Sequence, residues 1–288
     1  MKEILVLSGK GGTGKTSLAS SFMYYAKSCI ACDYDVDASN LPILLKPNKI
    51  EDYAFSAGET AYIDNESCID CGVCAALCRF DAIISDPSYQ VVPLSCEGCG
   101  FCAQVCPVQA VTMIARSSGR WFQALSHVGQ PLFFAELRPG EENSGKLVAQ
   151  VKSVARKFGT DCRMPLIISD GPPGIGCAVI SSLVAVDLVI LVAEPSLSGF
   201  HDLQRVSELM RMRGVKGGVI INKWDLNPSA SHEIEAWAQQ NNILFLGRVP
   251  FSERIAEMVA KAAIPGADPD IENLLRPIWE NIQRLLVS

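Results

Sequence analysis

The octapeptide GKGGTGKT, Gly9–Thr16, constrains this chain more than any other stretch. It fits G-x-x-x-x-G-K-[ST]. The apolar run Ile4–Leu7 before it predicts a short buried strand, and Thr16–Lys27 after it has helical composition. A glycine loop between a strand and a helix lets the backbone bend around phosphate oxygens. Successive N–H groups and the helix N-terminus then supply positive potential. The candidate phosphate cradle is Gly9, Lys10, Gly11, Gly12, Thr13, Gly14, Lys15, Thr16 and Ser17. In such a cradle Lys15 reaches the β- and γ-phosphates of ATP, and the Thr16 hydroxyl ligates Mg²⁺.

The rest of the chain repeats the strand–helix rhythm. Ser28–Cys32 predicts a second strand that ends in the acidic run Asp33–Asp37. Gly145–Phe158 predicts a helix, Pro165–Asp170 a strand and Gly171–Gly176 a turn. Helices over Ala178–Ala185, Asp202–Arg213 and Ser231–Asn241 alternate with strands over Asp187–Ala193, Gly218–Asn222 and Ile243–Leu246. Near-continuous apolar strands between helices predict a doubly wound, mostly parallel α/β sheet covered on both faces.

One segment breaks that rhythm. Cys68, Cys71, Cys74 and Cys78 follow C-x₂-C-x₂-C-x₃-C, and Cys96, Cys99, Cys102 and Cys106 repeat it. This is the bacterial two-cluster ferredoxin spacing, in which each run's fourth cysteine serves the other cluster. The expected ligand sets for two [4Fe–4S] clusters are therefore Cys68, Cys71, Cys74 and Cys106, and Cys96, Cys99, Cys102 and Cys78. Structural zinc sites more often use two C-x-x-C pairs across a longer gap. Pro107 follows the second run, whereas Arg79 stands in the corresponding place in the first. That position is not a ligand, so both clusters are expected, with Arg79 a tolerated loop residue or an influence on potential or docking. The domain expectation is residues 1–59 and 116–288 for the P-loop domain, with an inserted ferredoxin-like domain over 60–115.

Composition narrows the partners. Apolar residues make up 49% of the chain and charged residues 19%, as in a globular protein with a sizeable core. The net charge of −6 gives no broad basic face, so no nucleic-acid partner is expected. Residues 60–115 carry six acidic side chains against Arg79 alone. No spanning helix or signal peptide is expected, which points to a cytoplasmic protein with reduced thiols. Cys29 and Cys32, three apart in a predicted strand, point to opposite faces and are expected to be buried thiols rather than joint ligands. The C-terminal segment Ile271–Val287 has apolar residues at helical spacing. Its polar face balances two arginines with two glutamates, and Pro277 is expected to interrupt it. A helix packed on the core is expected there rather than a membrane anchor.

With the extra lysine, Lys10, the loop KGGTGK resembles the deviant Walker A motif of the MinD superfamily. That group includes septum-site and plasmid-partition ATPases, the nitrogenase iron protein and Mrp-type cluster carriers. CDYDVDASN (Cys32–Asn40) resembles its first switch, and IISDGPPGIG (Ile167–Gly176) its Walker B strand and second switch. IINKWD (Ile220–Asp225) and GRVPFSER (Gly247–Arg254) resemble its adenine-side segments. The resemblance implies an ATP-dependent homodimer in which Lys10 reaches the partner's phosphates. It implies that Asp35, with Asp37 as rival, orients the attacking water and that Asp33 and Asp170 hold the Mg²⁺ shell. Asn222 is the implied base contact. Cys177, seven residues beyond Asp170, resembles one ligand of an intersubunit cluster, but the other ligand has no match and a packed or redox-sensitive thiol is favoured.

GEENSGKLV (Gly140–Val148) after the cysteines completes a likeness to superfamily members with a ferredoxin insert. The implied function is ATP-gated electron transfer to a protein acceptor or metallocofactor protein, with a protein electron donor. The alternatives are a carrier or assembly factor for iron–sulfur or heterometal clusters, and a positioning ATPase of the division-site type.

Overall fold

The computed structural model describes Met1–Val287. Its elements begin with β1 (Lys2–Ser8), α1 (Lys15–Ala26), β2 (Ile30–Asp33), α2 (Leu41–Leu45) and the long β3 (Asn48–Ile63). The cysteine segment holds α3 (Val73–Ala76), β4 (Ile83–Ser85), β5 (Tyr89–Val91) and α4 (Phe101–Val105). Then come β6 (Val111–Leu125), β7 (Pro131–Leu137), α5 (Ser144–Asp161), β8 (Leu166–Pro173) and α6 (Cys177–Ser182). The chain finishes with β9 (Leu188–Ala193), α7 (Leu197–Met212), β10 (Lys216–Asn222), α8 (Pro228–Gln240), β11 (Leu244–Val249), α9 (Glu253–Ala260) and α10 (Pro269–Val287).

Nine strands form one sheet in the order β11-β10-β9-β1-β8-β2-β7-β6-β3. Every pair from β11 to β7 is parallel. Parallel strands need crossovers, and the helices that supply them cover both faces. Residues β2 and β9 are buried throughout, which explains why their sequences lack alternation. On one face Ile4, Val6, Ile168, Ile190 and Ile220 pack with Leu18 and Phe22 of α1 and with Leu275, Ile278, Trp279 and Ile282 of α10. On the other face Leu5, Leu7, Ile167, Val189 and Leu191 are equally buried.

The chain forms two compact units. The first comprises 1–53, 120–136 and 144–288, and the second 54–119 and 137–143. In the second unit a small core gathers Ala61, Ile63, Cys74, Ala82, Ile83, Cys96 and Val111, flanked by Cys68, Cys78, Cys102 and Cys106. Its glycines take backbone shapes that other residues resist. Gly98 has φ +64°, and a Cβ there would collide with the Glu59 carbonyl.

Two expectations about the terminal helix are sharpened. It packs on the core, but Pro277 does not interrupt it: α10 runs through that residue from Pro269 to Val287. Pro277 lies on the exposed side, where solvent can satisfy the carbonyl a proline leaves unpaired. Among the described residues no helix is long and apolar enough to cross a membrane.

Candidate functional site

The loop between β1 and α1 borders a cavity of about 760 Å³, lined by Lys10 through Ser17, Asp35, Asp37 and the Pro172–Pro173 turn. Gly14 starts the helix at φ +87°, and a Cβ there would meet the side-chain amide of Asn222. That amide donates to the Thr13 carbonyl at 2.7 Å, while Asn222 Oδ1 accepts from the Lys223 N–H at 3.1 Å. Asn222 thus fastens the loop from its outer side, and it does not border the cavity.

Lys15 is buried and donates to Asp170 Oδ1 at 2.7 Å. Burial works against its charge, but Asp170, Asp33 and Asp35 outweigh it and hold the ammonium above the usual lysine range. Asp33 and Asp170 are partners across neighbouring strands β2 and β8. Burial first, and then the charge of Asp170, push Asp33 up to about 7 against the pull of Lys15. Asp33 also accepts from Ser39 Oγ at 2.8 Å and from the N–H groups of Asp35 and Leu41, each at 3.0 Å. The two carboxylates thus lie side by side behind Lys15, and neither borders the cavity. Asp35 is half-buried and raised, chiefly by burial, whereas Asp37 is exposed. Both face the same cavity.

Lys10 is held within its own chain. Its Nζ lies 3.0 Å from Glu194 Oε2 and 3.2 Å from Ser196 Oγ. Glu194 also binds Lys223 Nζ at 3.2 Å, and Lys223 donates to the Gly12 carbonyl at 3.2 Å. Glu194 and Lys223 were not legible as site residues. The available signal was topological: Glu194 follows β9, which neighbours β1, at the strand end where such sheets bind ligands. Gly9 packs against the backbone of Asp202 rather than bordering the cavity.

In the second unit the eight run cysteines border two cavities. Cys78, Cys96, Cys99 and Cys102 line one of about 350 Å³, together with Arg79, Glu97, Phe80 and Phe101. Cys68, Cys71, Cys74 and Cys106 line a narrower one of about 10 Å³. Among the described residues no three Cys, His, Asp or Glu side chains converge on a single-ion position. Burial raises the Cys74 and Cys102 thiols. Burial also works on Cys96, but the Ala61 and Gly98 N–H groups, the Thr60 hydroxyl and the Arg116 charge outweigh it and hold that thiol below its ordinary value. Backbone N–H groups of Ala82 and Ala110 donate to Cys78 Sγ at 3.4 Å and Cys106 Sγ at 3.2 Å.

Of the remaining cysteines, Cys29 packs in the core beside Met23, and burial pushes its thiol up to about 12. Cys32 is buried near Glu3 and Lys152 and is also raised by burial. Cys162 is exposed. Cys177 is exposed and borders the phosphate-loop cavity.

A parallel sheet with a phosphate loop after its first strand, a buried lysine and paired carboxylates defines a P-loop nucleotide-binding protein of the MinD/ParA ATPase type. The sequence matches the CobQ/CobB/MinD/ParA nucleotide binding domain over residues 4–265, and the chain belongs to that family. It is 36% identical over 230 residues to the uncharacterized protein MJ0578 of Methanocaldococcus jannaschii, covering 78% of this chain and 79% of that one. In fold it is similar to the septum site-determining protein MinD of Pyrococcus horikoshii OT3 complexed with Mg-ADP. The TM-score is 0.59 at 15% identity, over 99% of this chain and 96% of that one. MinD in the MinC:MinD cell division protein complex of Aquifex aeolicus gives 0.57 at 15% identity, over 100% and 97%.

Proposed function

We propose that this chain is an Mg-ATP-hydrolysing dimer whose nucleotide state gates electron transfer from two [4Fe–4S] clusters to a partner protein. The observation that carries the redox half is the division of the eight cysteines between two cavities, each bordered by three from one run and one from the other. All-thiolate donor sets suit iron–sulfur clusters. The larger cavity has room for one, and the thiols of the narrower one must part to admit the other. The Thr60 hydroxyl adds to the fit, being buried beside the Cys96 thiol, where it favours the thiolate that a cluster ligand must be. When bound, each cluster supplies a one-electron carrier. The domain reading follows: a ferredoxin-like insert, expected over 60–115, in a P-loop domain.

The chain's own groups supply the ATPase half. Lys15 meets the β- and γ-phosphates, Thr16 with Asp33 and Asp170 holds the Mg²⁺ shell, and Asp35 orients water. Lys10 reaches the partner's nucleotide once it leaves Glu194. The resemblance to the nitrogenase iron protein and Mrp-type carriers supports a link between nucleotide state and redox partner.

Anaerobically purified protein is expected to hold about eight iron atoms per chain. Cys106→Ser should lose one cluster's iron, and zinc in place of iron overturns the reading. Lys10→Ala should bind nucleotide normally yet lose ATP-dependent dimerisation and most turnover. Unaffected turnover, followed by phosphate release, removes Lys10 from the mechanism.

A second reading, a MinD-like positioning ATPase, is favoured by the whole-length likeness to MinD folds. It requires ATP-dependent flotation with liposomes. The burial of α10's apolar residues against the sheet favours the redox reading.

A further inference from the structure

The two cysteine sets come from one repeated pattern, yet different charges surround them. Arg116 Nη1 donates to the Cys96 carbonyl at 2.6 Å, and its Nε donates to Glu141 at 2.8 Å. The two side chains are 16% and 9% exposed, so water screens them weakly. Glu141 occupies the Nε side and leaves the other arm of the guanidinium on the Cys96 backbone. The pair thus presents its positive end to this set. Arg79 and Glu97 also border this cavity, and their opposite charges offset each other.

The other set has the reverse environment. Cys68 Sγ lies 3.8 Å from Asp70 Oδ1. Among the described residues bordering its cavity there is no cation. Reduction adds one negative charge to a cluster. A fixed cation nearby favours that step, and a fixed carboxylate opposes it.

We propose, on the reading that both sets hold [4Fe–4S] clusters, that Arg116 and Asp70 order the pair. The set of Cys96, Cys99, Cys102 and Cys78 has the higher reduction potential, and an electron entering the unit comes to rest there. The set of Cys68, Cys71, Cys74 and Cys106 is the lower. Arg116 is a positioning residue, acting through its charge and its hold on the Cys96 backbone rather than as a ligand. No local pattern marks it: it lies ten residues beyond the last run cysteine, on β6.

The test is a redox titration of the anaerobic full-length protein, followed by electron paramagnetic resonance and paired with iron analysis. Two separate couples are expected. Cys106→Ser should remove the lower one. Arg116→Gln should move the higher couple down and leave the lower in place, and Arg116→Lys, which keeps the charge, should recover most of that shift. Asp70→Asn, an exposed substitution that does not threaten folding, should raise the lower couple alone. Wild-type protein without iron overturns the cluster reading and takes the inference with it. Full iron with both couples unmoved in Arg116→Gln and Asp70→Asn overturns the inference alone. So does loss of the higher couple in Cys106→Ser.

Discussion

Glu194 binds two lysines at the phosphate loop, Lys10 within it and Lys223, which donates to its Gly12 carbonyl. On the proposed trans role, Lys10 first has to break this pairing to reach a partner's phosphates, and Glu194 then sets part of the cost of forming the dimer. Burial acts against its charge, but hydrogen bonds and charge from Lys10 and Lys223 hold its carboxyl below the usual range. A depressed carboxylate stabilises the fold above its unfolded-state pKa, and that contribution is lost as the solution is acidified through the folded-state value. Glu194→Gln is therefore expected to cost about 0.5–1 kcal/mol in urea melts at pH 7, a gap that narrows as the pH falls below the usual carboxylate range. A gap that does not narrow on acidification would rule the ion pairs out as its source. The same variant should dimerise at lower ATP, as read by light scattering. At this scale the chain was readable where chemistry repeats a local motif: Lys10, Lys15, Asp33, Asp35 and Asp170 all come from such runs. Glu194, Lys223, Thr60 and Arg116 act through contacts between distant segments, which no local spacing encodes.

The elements follow the same division. Strands buried on both faces, such as β9, were legible as apolar runs. Helix starts were placed late where a cap preceded the amphipathic pattern. Ser196 Oγ accepts from the Gly199 N–H at 3.1 Å and begins α7 five residues before Asp202. Asn227 caps α8 in the same way ahead of Pro228. The long strands β3 and β6 have no clean alternation: β3 is mostly exposed, and β6 mixes half-buried and exposed positions with scattered buried ones. β3 ends the sheet with Lys49, Glu51, Asp52 and Glu59, charges that discourage another strand from pairing there. In α10, Trp279 stacks on Phe22 of α1 with ring centroids 5.8 Å apart, which anchors the helix despite its proline. Pro277 is exposed, so Pro277→Ala removes a backbone defect and no packing. It is expected to raise stability by about 1–3 kcal/mol in thermal melts. An unchanged midpoint would mean the helix already bends to accommodate the ring.

The whole molecule joins two units of unequal self-sufficiency. The first has a large aliphatic core on both faces of its sheet. The second has a small core in which Cys74 and Cys96 stand among five aliphatic side chains, so on the cluster reading bound metal supplies much of its cohesion. Removing iron with a chelator is expected to expose 54–119 to limited proteolysis, while nucleotide still protects the P-loop unit. Cleavage spread evenly over both units would show that their stabilities are not separable. The second unit's boundaries were only partly legible, because its outer strands continue past the cysteines and it also takes in 137–143.

The order of strands in the sheet also sets an order of manufacture. β8 lies between β1 and β2, yet it is made last of the three, after all eight run cysteines. On the ribosome the nascent chain therefore displays its run cysteines while Lys15 still lacks Asp170 and the sheet lacks its middle. On the cluster reading, metal loading can begin on a chain that has no nucleotide site, whereas Lys15 meets Asp170 only on a chain whose cysteines have already been synthesised.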